Sequence, residues 1–217
     1  MIDINEKHET ERINPFTAVW LKTRKTARYV IEEKTTGFAI MLIMLSGIGS
    51  GLMGMQSSGA GAGVAGWVIL LLSLTLGPVV GLGSAALLSA LYLLVGKLFK
   101  GKATYIEMFK AVAVSMIPYV WIAPILLAWA TLAPDSYFVD PLAENGNGEG
   151  FMTLIVLGII SFVLSIWGII IQSKAIGEAH QFNSWKGFAT VMIPAVVIGV
   201  VVIVVVVLFI ILLASSV

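Results

Sequence analysis

The sequence predicts an all-α integral membrane protein, a polytopic bundle of five transmembrane helices preceded by an amphipathic helix at the membrane interface. Of the 217 residues, 59% are apolar and 12% are charged, and the mean hydropathy of +1.00 is well above that of a soluble domain. Five apolar stretches each approach or exceed the ~20 residues that cross a bilayer core. Because backbone polar groups must bond internally in lipid, and these stretches lack the alternation of barrel strands, the spans should be helices.

The five stretches set the domain boundaries. They cover about 37–55, 64–95, 108–133, 151–173 and 189–214, which gives a membrane domain over 37–214, an N-terminal tail over 1–36 and a short tail over 215–217. No apolar segment lies in the N-terminal tail, so a cleavable signal peptide is not expected. The second stretch contains Gly77-Pro78 near its middle and fits either one tilted helix or a broken one.

The distribution of Lys and Arg indicates the orientation. With five spans, all 13 of these residues lie on one side, in the tail and near 96–110 and 174–186. The segments on the other side, 56–63, 134–150 and 215–217, hold no base and four acids, which are Asp135, Asp140, Glu144 and Glu149. By the positive-inside rule the N-terminus is cytoplasmic and the C-terminus extracytoplasmic. Two full crossings in the second stretch would place the basic segment 96–107 outside, which favours five spans.

The tail contains the pattern of an interfacial helix over about 14–34. Asn14 is a suitable N-cap and Pro15 suits the first helical position. Apolar residues recur at helical spacing among basic ones, as in helices that lie in the membrane plane. The candidate contacts with membrane lipids or a protein partner are Lys22, Arg24, Lys25 and Arg28. The alternatives are a solvated helix packed on the loop ends, and basic residues that act only as a topology signal.

Small residues and prolines mark where the spans should pack and bend. Gly47 and Gly51, and likewise Gly77 and Gly81, stand four residues apart, which allows helix backbones to approach closely. We expect these faces to pack the first two spans inside the bundle, with homo-oligomerisation as the alternative. The candidate kink positions are Pro78 and Pro118.

No catalytic, metal, cofactor or nucleic-acid site is predicted. No ionisable residue lies in the middle of a span, which disfavours proton relays, voltage sensors and ion-coupled transport. The chain has no cysteine. Glu178 and His180 stand two residues apart, so they do not share a helix face, and no third metal ligand is nearby.

Two blocks carry a resemblance to a known family. The first runs from Asn14-Pro15-Phe16 through Trp20 and the basic stretch to Glu32-Glu33; the second runs from Gly96 to Glu107 and leads to Ser115-Met-Ile-Pro118. With the five-span layout, the chain resembles the Yip1 family, in particular its bacterial branch. The resemblance implies a prokaryotic cell membrane, a cytoplasmic N-terminus and no enzymatic activity. Eukaryotic relatives act in vesicle trafficking by binding prenylated Rab GTPases.

Two functions fit these observations. The first is a membrane adaptor or organiser whose basic cytoplasmic surface binds a protein or anionic lipid. The alternative is a permeation or lipid-handling protein with a gap between the second helix, which contains Gly77 and Pro78, and the third helix, where Pro118 and Pro124 could open backbone groups toward a cavity.

Overall fold

The computed structural model describes residues 12–57, 65–133, 137 and 149–214, and all regular structure in them is helical. The helices are α1 (Pro15–Ala18), α2 (Thr23–Glu33), α3 (Thr36–Ser57), α4 (Gly66–Leu98), α5 (Tyr105–Ser115), α6 (Ile117–Leu132), α7 (Glu149–Ala179) and α8 (Ser184–Ala214). The residues outside this description are 1–11, 58–64, 134–136, 138–148 and 215–217.

Four helices are long and apolar enough to cross a membrane. These segments are Thr36–Met55, Gly66–Leu98, Ile155–Ala179 and Ser184–Phe209. The pair α5 and α6 passes the same test together, with a bend of 42° between the two helices. The predicted polytopic helical bundle is therefore confirmed for the described residues, with four spans, or five when the bent pair counts as one.

The third predicted span is not one straight helix. The chain leaves the α-helical pattern at Met116, whose N–H bonds to the carbonyls of Ala113 and Val114. Pro118 follows as the second residue of α6 and has no N–H to donate to the preceding turn. The missing donor accounts for a break at this point.

The prediction of one continuous tail helix over 14–34 is wrong. It begins as expected, because the Asn14 side chain accepts a hydrogen bond from the Phe16 N–H and Pro15 opens the helix. However, α1 ends at Ala18 and α2 starts only at Thr23. The intervening turn buries Val19 completely and brings the Trp20 ring to 6.5 Å from that of Trp167 in α7. Tertiary packing therefore interrupts the helix.

The remaining spans are longer than predicted. The second is one continuous helix, α4, with Pro78 inside it; at 1.5 Å per residue its 33 residues extend about 50 Å, more than a bilayer core requires. Helix α7 ends at Ala179 and α8 begins at Ser184. The predicted loop over 174–188 is therefore only a short turn.

Helices α3 and α4 cross at their glycines. A Cβ on Gly77 would lie 2.7 Å from the Gly47 carbonyl oxygen, and one on Gly47 would overlap the Gly77 carbonyl. A Cβ on Gly81 would lie 3.2 Å from the Gly47 Cα, whereas one on Gly51 would make ordinary contacts with Gly77 and Ser73. The two helix backbones are in contact here because Gly47 and Gly77 have no side chains to separate them.

The described residues form two apolar clusters, and the short helix α5 lies at the centre of the larger one. Seven of its residues are buried, which are Met108, Phe109, Ala111, Val112, Ala113, Val114 and Ser115. It packs against α2, α3, α4 and α7. A second, smaller apolar cluster forms around Leu52, Leu126 and Leu157.

We predict that Gly77→Ala lowers the stability of the bundle while Gly83→Ala does not. The added methyl at position 77 has to push α3 away, at a cost of about 1–3 kcal/mol for overpacking. At position 83, on the same helix, it enters open space. Thermal unfolding in detergent compares the two variants, and equal midpoints would show that the crossing is not close-packed.

Candidate functional site

Three separate parts of the chain meet at one end of the bundle, which we call the basic end. They are α2, the α4–α5 turn (Phe99–Thr104) and the α7–α8 turn (His180–Asn183). The contacts that join them involve Glu178 and His180. The basic segments that flank the spans in sequence are therefore also close in space.

Glu178 holds the tail helix to the bundle. Its Oε2 accepts a hydrogen bond from Arg24 Nε at 2.9 Å, and its Oε1 accepts one from Arg28 Nε at 2.7 Å. Arg24 Nη2 also donates to the Phe182 carbonyl at 2.6 Å. The Glu178 side chain is only 12% exposed, against 41% for Arg24 and 62% for Arg28. One carboxylate thus bonds two successive turns of α2.

His180 joins the two turns of the bundle. Its ring is 1% exposed, and Nδ1 accepts a hydrogen bond from the Ala103 N–H at 3.4 Å. Nε2 lies 3.2 Å from the Tyr92 carbonyl oxygen, a pair that requires the proton on Nε2. A Cβ on Gly96 or Gly101 would overlap the ring. The two glycines therefore form the space that the imidazole fills.

The pKa of His180 lies below its ordinary value of 6.5. Burial, which disfavours the imidazolium, is the main cause, and the positive charge of Lys97 acts in the same direction. The hydrogen bond to the Tyr92 carbonyl and the charge of Glu107 oppose the shift. The neutral ring is the form that accepts the Ala103 N–H.

Helices α4 and α7 end in the same way. Gly101 N–H bonds to the Gly96 carbonyl, and Phe182 N–H bonds to the Gly177 carbonyl, both at 2.9 Å. The residue before each donor has a positive φ, 61° at Lys100 and 59° at Gln181. A hydrogen bond that closes six residues, with the fifth residue in the left-handed conformation, is the Schellman motif that ends a helix.

Each turn then leads directly into the next helix. The Thr104 side chain caps α5 in a capping box with Glu107. The Asn183 side chain accepts a hydrogen bond from the Lys186 N–H at 2.9 Å at the start of α8. Local capping thus keeps both turns short.

A cleft of about 1080 Å³ opens between α2 and the α7–α8 turn. Its charged lining consists of three bases and three acids, which are Arg24, Lys25, Arg28, Glu32, Glu107 and Glu178. Because the two arginines bond to Glu178, the cleft is not a simple cationic pocket. Apolar residues such as Tyr29, Ile31 and Phe182 complete it.

The four predicted contact residues have two different environments. Arg24 and Arg28 bond to Glu178, whereas Lys22 and Lys25 are exposed and have no ion pair among the described residues. The sequence alone did not indicate the role of Glu178 or His180. The available signal was that Glu178 is the single acid in the basic segment 174–186.

One groove lies among the residues of the membrane-spanning helices. A groove of about 460 Å³ runs between α3 and α4, beside Gly47, Gly77 and Gly81. It therefore separates the first and second spans rather than the second and third, and Pro118 is not in its lining. Ser46, one of four serines in its lining, bonds to the Ile43 carbonyl at 2.9 Å, as hydroxyls in membrane helices commonly do.

The family follows from a comparison with family models. The Yip1 domain model matches residues 17–214. The chain belongs to the Yip1 family. Comparisons with curated proteins and with solved structures gave no match. The Yip1 match begins within α1, so it includes α2 as well as every membrane-spanning helix, whereas the sequence placed the start of the membrane domain at residue 37.

We predict that Glu178→Gln loosens the tail helix. Because both arginines are partly exposed, the charged contacts contribute about 1 kcal/mol after solvent screening. That loss corresponds to roughly a fivefold increase in local opening. Hydrogen exchange of the amides of α2 measures it, with Glu32→Gln, an exposed acid of α2, as the control. Unchanged exchange in Glu178→Gln would show that apolar packing alone holds the helix.

We also predict that His180 makes the protein less stable as the pH is lowered below about 6.5. Because its folded-state pKa is below 6.5, the unfolded chain binds a proton where the folded chain does not. The contribution is therefore fully present above about pH 6.5 and declines as the pH falls toward the folded-state pKa. The unfolding midpoint should drop more between neutral and mildly acidic pH in the wild type than in His180→Gln. Parallel profiles would contradict this assignment.

Proposed function

We propose that this Yip1-family protein is a non-enzymatic adaptor or organiser of a prokaryotic cell membrane, which acts through its basic end. The observation that carries the proposal is the convergence of α2 and two distant turns at one end, tied together through Glu178 and His180. The positive-inside rule supports a cytoplasmic position for this end. The bundle would then hold a recognition surface at the membrane.

The attachment of α2 supports a role in recognition. The helix is held by Glu178, by buried Ala27 and Val30, and by Lys110, whose Nζ donates to the Ile31 carbonyl at 2.8 Å. A surface that is ordered before binding loses little conformational entropy when a partner docks. The exposed Lys22 and Lys25 project from this fixed helix.

The cleft indicates the chemistry of a protein partner. Its lining combines both signs of charge with apolar residues, which suits a peptide segment better than a simple anion. Lys25, the base of the cleft that has no ion pair among the described residues, would pair with an acidic residue of that segment. Complementary charge at such a rim favours the correct partner over others.

The environments of Glu178 and His180 support a non-enzymatic role. These are the residues of the α7–α8 region that a catalytic arrangement would use as acid or base. Glu178 bonds to two arginines and His180 to two backbone groups. Both side chains thus stabilise the structure of the basic end.

The proposal is tested by reversing the unpaired lysines. Lys22→Glu with Lys25→Glu should abolish recovery of a crosslinked partner from native membranes, since about 1 kcal/mol per reversed charge amounts to roughly thirtyfold in binding. Quantitative affinity purification after mild in-cell crosslinking gives the measurement. Lys22→Arg with Lys25→Arg, which keeps both charges, is the matched control.

Arg24 and Arg28 are left unchanged in this experiment because their reversal would also detach α2 from Glu178. Membrane insertion and unfolding midpoints of all variants are compared beforehand. A partner recovered equally well with the reversed and the conserved charges would refute a role for this surface. Loss in both lysine variants would instead indicate that the ammonium geometry itself is required.

A further inference from the structure

Three junctions at the basic end share a pattern, and two of them, at Lys97 and Lys186, have no part in the proposed protein contact. At each junction a highly exposed apolar side chain stands next to an exposed lysine. The apolar residues are Leu21 at 87%, Leu98 at 79% and Trp185 at 79% exposed. Their exposed neighbours are Lys22, Lys97 and Lys186.

Two of these pairs lie at the ends of long apolar helices, and Leu21–Lys22 lies in the turn between α1 and α2. Lys97 and Leu98 form the last turn of α4, and Trp185 and Lys186 form the first turn of α8. His180 ties the two turns together, and Glu178 ties α2 to the same end. The three pairs therefore lie at the same end of the bundle.

The lysines differ from the arginines in their bonding. Arg24 and Arg28 bond to Glu178, whereas Lys22, Lys97 and Lys186 have no ion pair among the residues that the structure describes. An exposed ammonium group on a flexible stem can reach the headgroup level while its stem follows apolar surface. The arginines thus stabilise the protein, whereas no described acid competes with an external anion for these lysines.

The apolar neighbours indicate what that anion is. A large exposed apolar side chain beside a charge is unfavourable in water but suits the boundary between acyl chains and headgroups. Tryptophan is enriched at this depth in membrane proteins. A lysine placed at the same depth meets the phosphates of the lipids.

We propose that the pairs Leu21–Lys22, Leu98–Lys97 and Trp185–Lys186 bind anionic phospholipids of the leaflet that surrounds the basic end. Each lysine pairs with a headgroup phosphate while its apolar neighbour lies among the upper acyl segments. This deepens the proposed function, because it names a lipid partner for the same basic end. Lys22 is common to both proposals, whereas Lys97 and Lys186 are not among the residues that line the cleft.

The test compares lipid selectivity in reconstituted full-length protein. Spin-labelled phosphatidylglycerol and phosphatidylcholine are introduced into vesicles of phosphatidylcholine, and the fraction of each that the protein immobilises is measured. The wild type should prefer phosphatidylglycerol. Lys97→Gln with Lys186→Gln should reduce this preference by up to about fivefold per lysine, and Lys97→Arg with Lys186→Arg should retain it.

Lys102 provides a matched control within the α4–α5 turn. It is exposed, but its neighbours Gly101 and Ala103 are buried, so Lys102→Gln should leave the preference close to that of the wild type. High salt, which shortens the Debye length from about 10 Å at 0.1 M to about 3 Å at 1 M, should reduce the wild-type preference toward that of the double variant.

The proposal is overturned if the double variant keeps the full preference, or if Lys102→Gln lowers it as much as the double variant does. The first result would mean that these lysines do not select lipid, and the second that only total charge matters. Lys22 and Lys25 are unchanged in all these variants. A negative lipid result combined with partner recovery that depends on Lys22 and Lys25 would therefore leave the adaptor role intact.

Discussion

The basic end depends on how two helix termini are closed in a confined space. Helices α4 and α7 both end there, and the last carbonyls of a helix have no partner within it. The imidazole of His180 bonds to a carbonyl near the end of α4, at Tyr92, and to an N–H of the following turn, at Ala103. Two glycines make room for its ring. Glu178, two residues earlier, bonds to the tail. One turn of α7 thus orders both the loop and the tail.

The membrane helices could be predicted from hydropathy because a lipid environment permits few backbone structures. The residues at which these helices begin and end could not be predicted in this way. Hydropathy places Lys174 and Lys186 in the loop between the fourth and fifth spans, yet the helices α7 and α8 include them. Ala175 and Ile176 are fully buried beside Lys174, so the packing of neighbouring residues, rather than local polarity, sets the length of the helix. The bend between α5 and α6 has a local signal, Pro118, but its 42° angle depends on the surrounding helices.

The candidate site was predicted only in outline. Basic residues in three segments were visible in the sequence. Which of them bond to an acid among the described residues depends on Glu178, which is 150 or more positions away from Arg24 and Arg28. The interruption of the tail between α1 and α2 has a similar origin, since Trp20 packs on Trp167 from the fourth span. Local periodicity does not contain such contacts between distant residues. They become visible only when the helices are assembled.

The central position of α5 has a consequence for biosynthesis. It is surrounded by α2, α3 and α4, which the ribosome makes before it, and by α7, which is made after it. While α7 is still being translated, the side of α5 that α7 will cover faces lipid or the translocation machinery. Final assembly of this half of the protein therefore waits for α7. Newly made chains that stop before Glu178 also lack the carboxylate that holds the tail, so the N-terminal helix becomes fixed only late in synthesis.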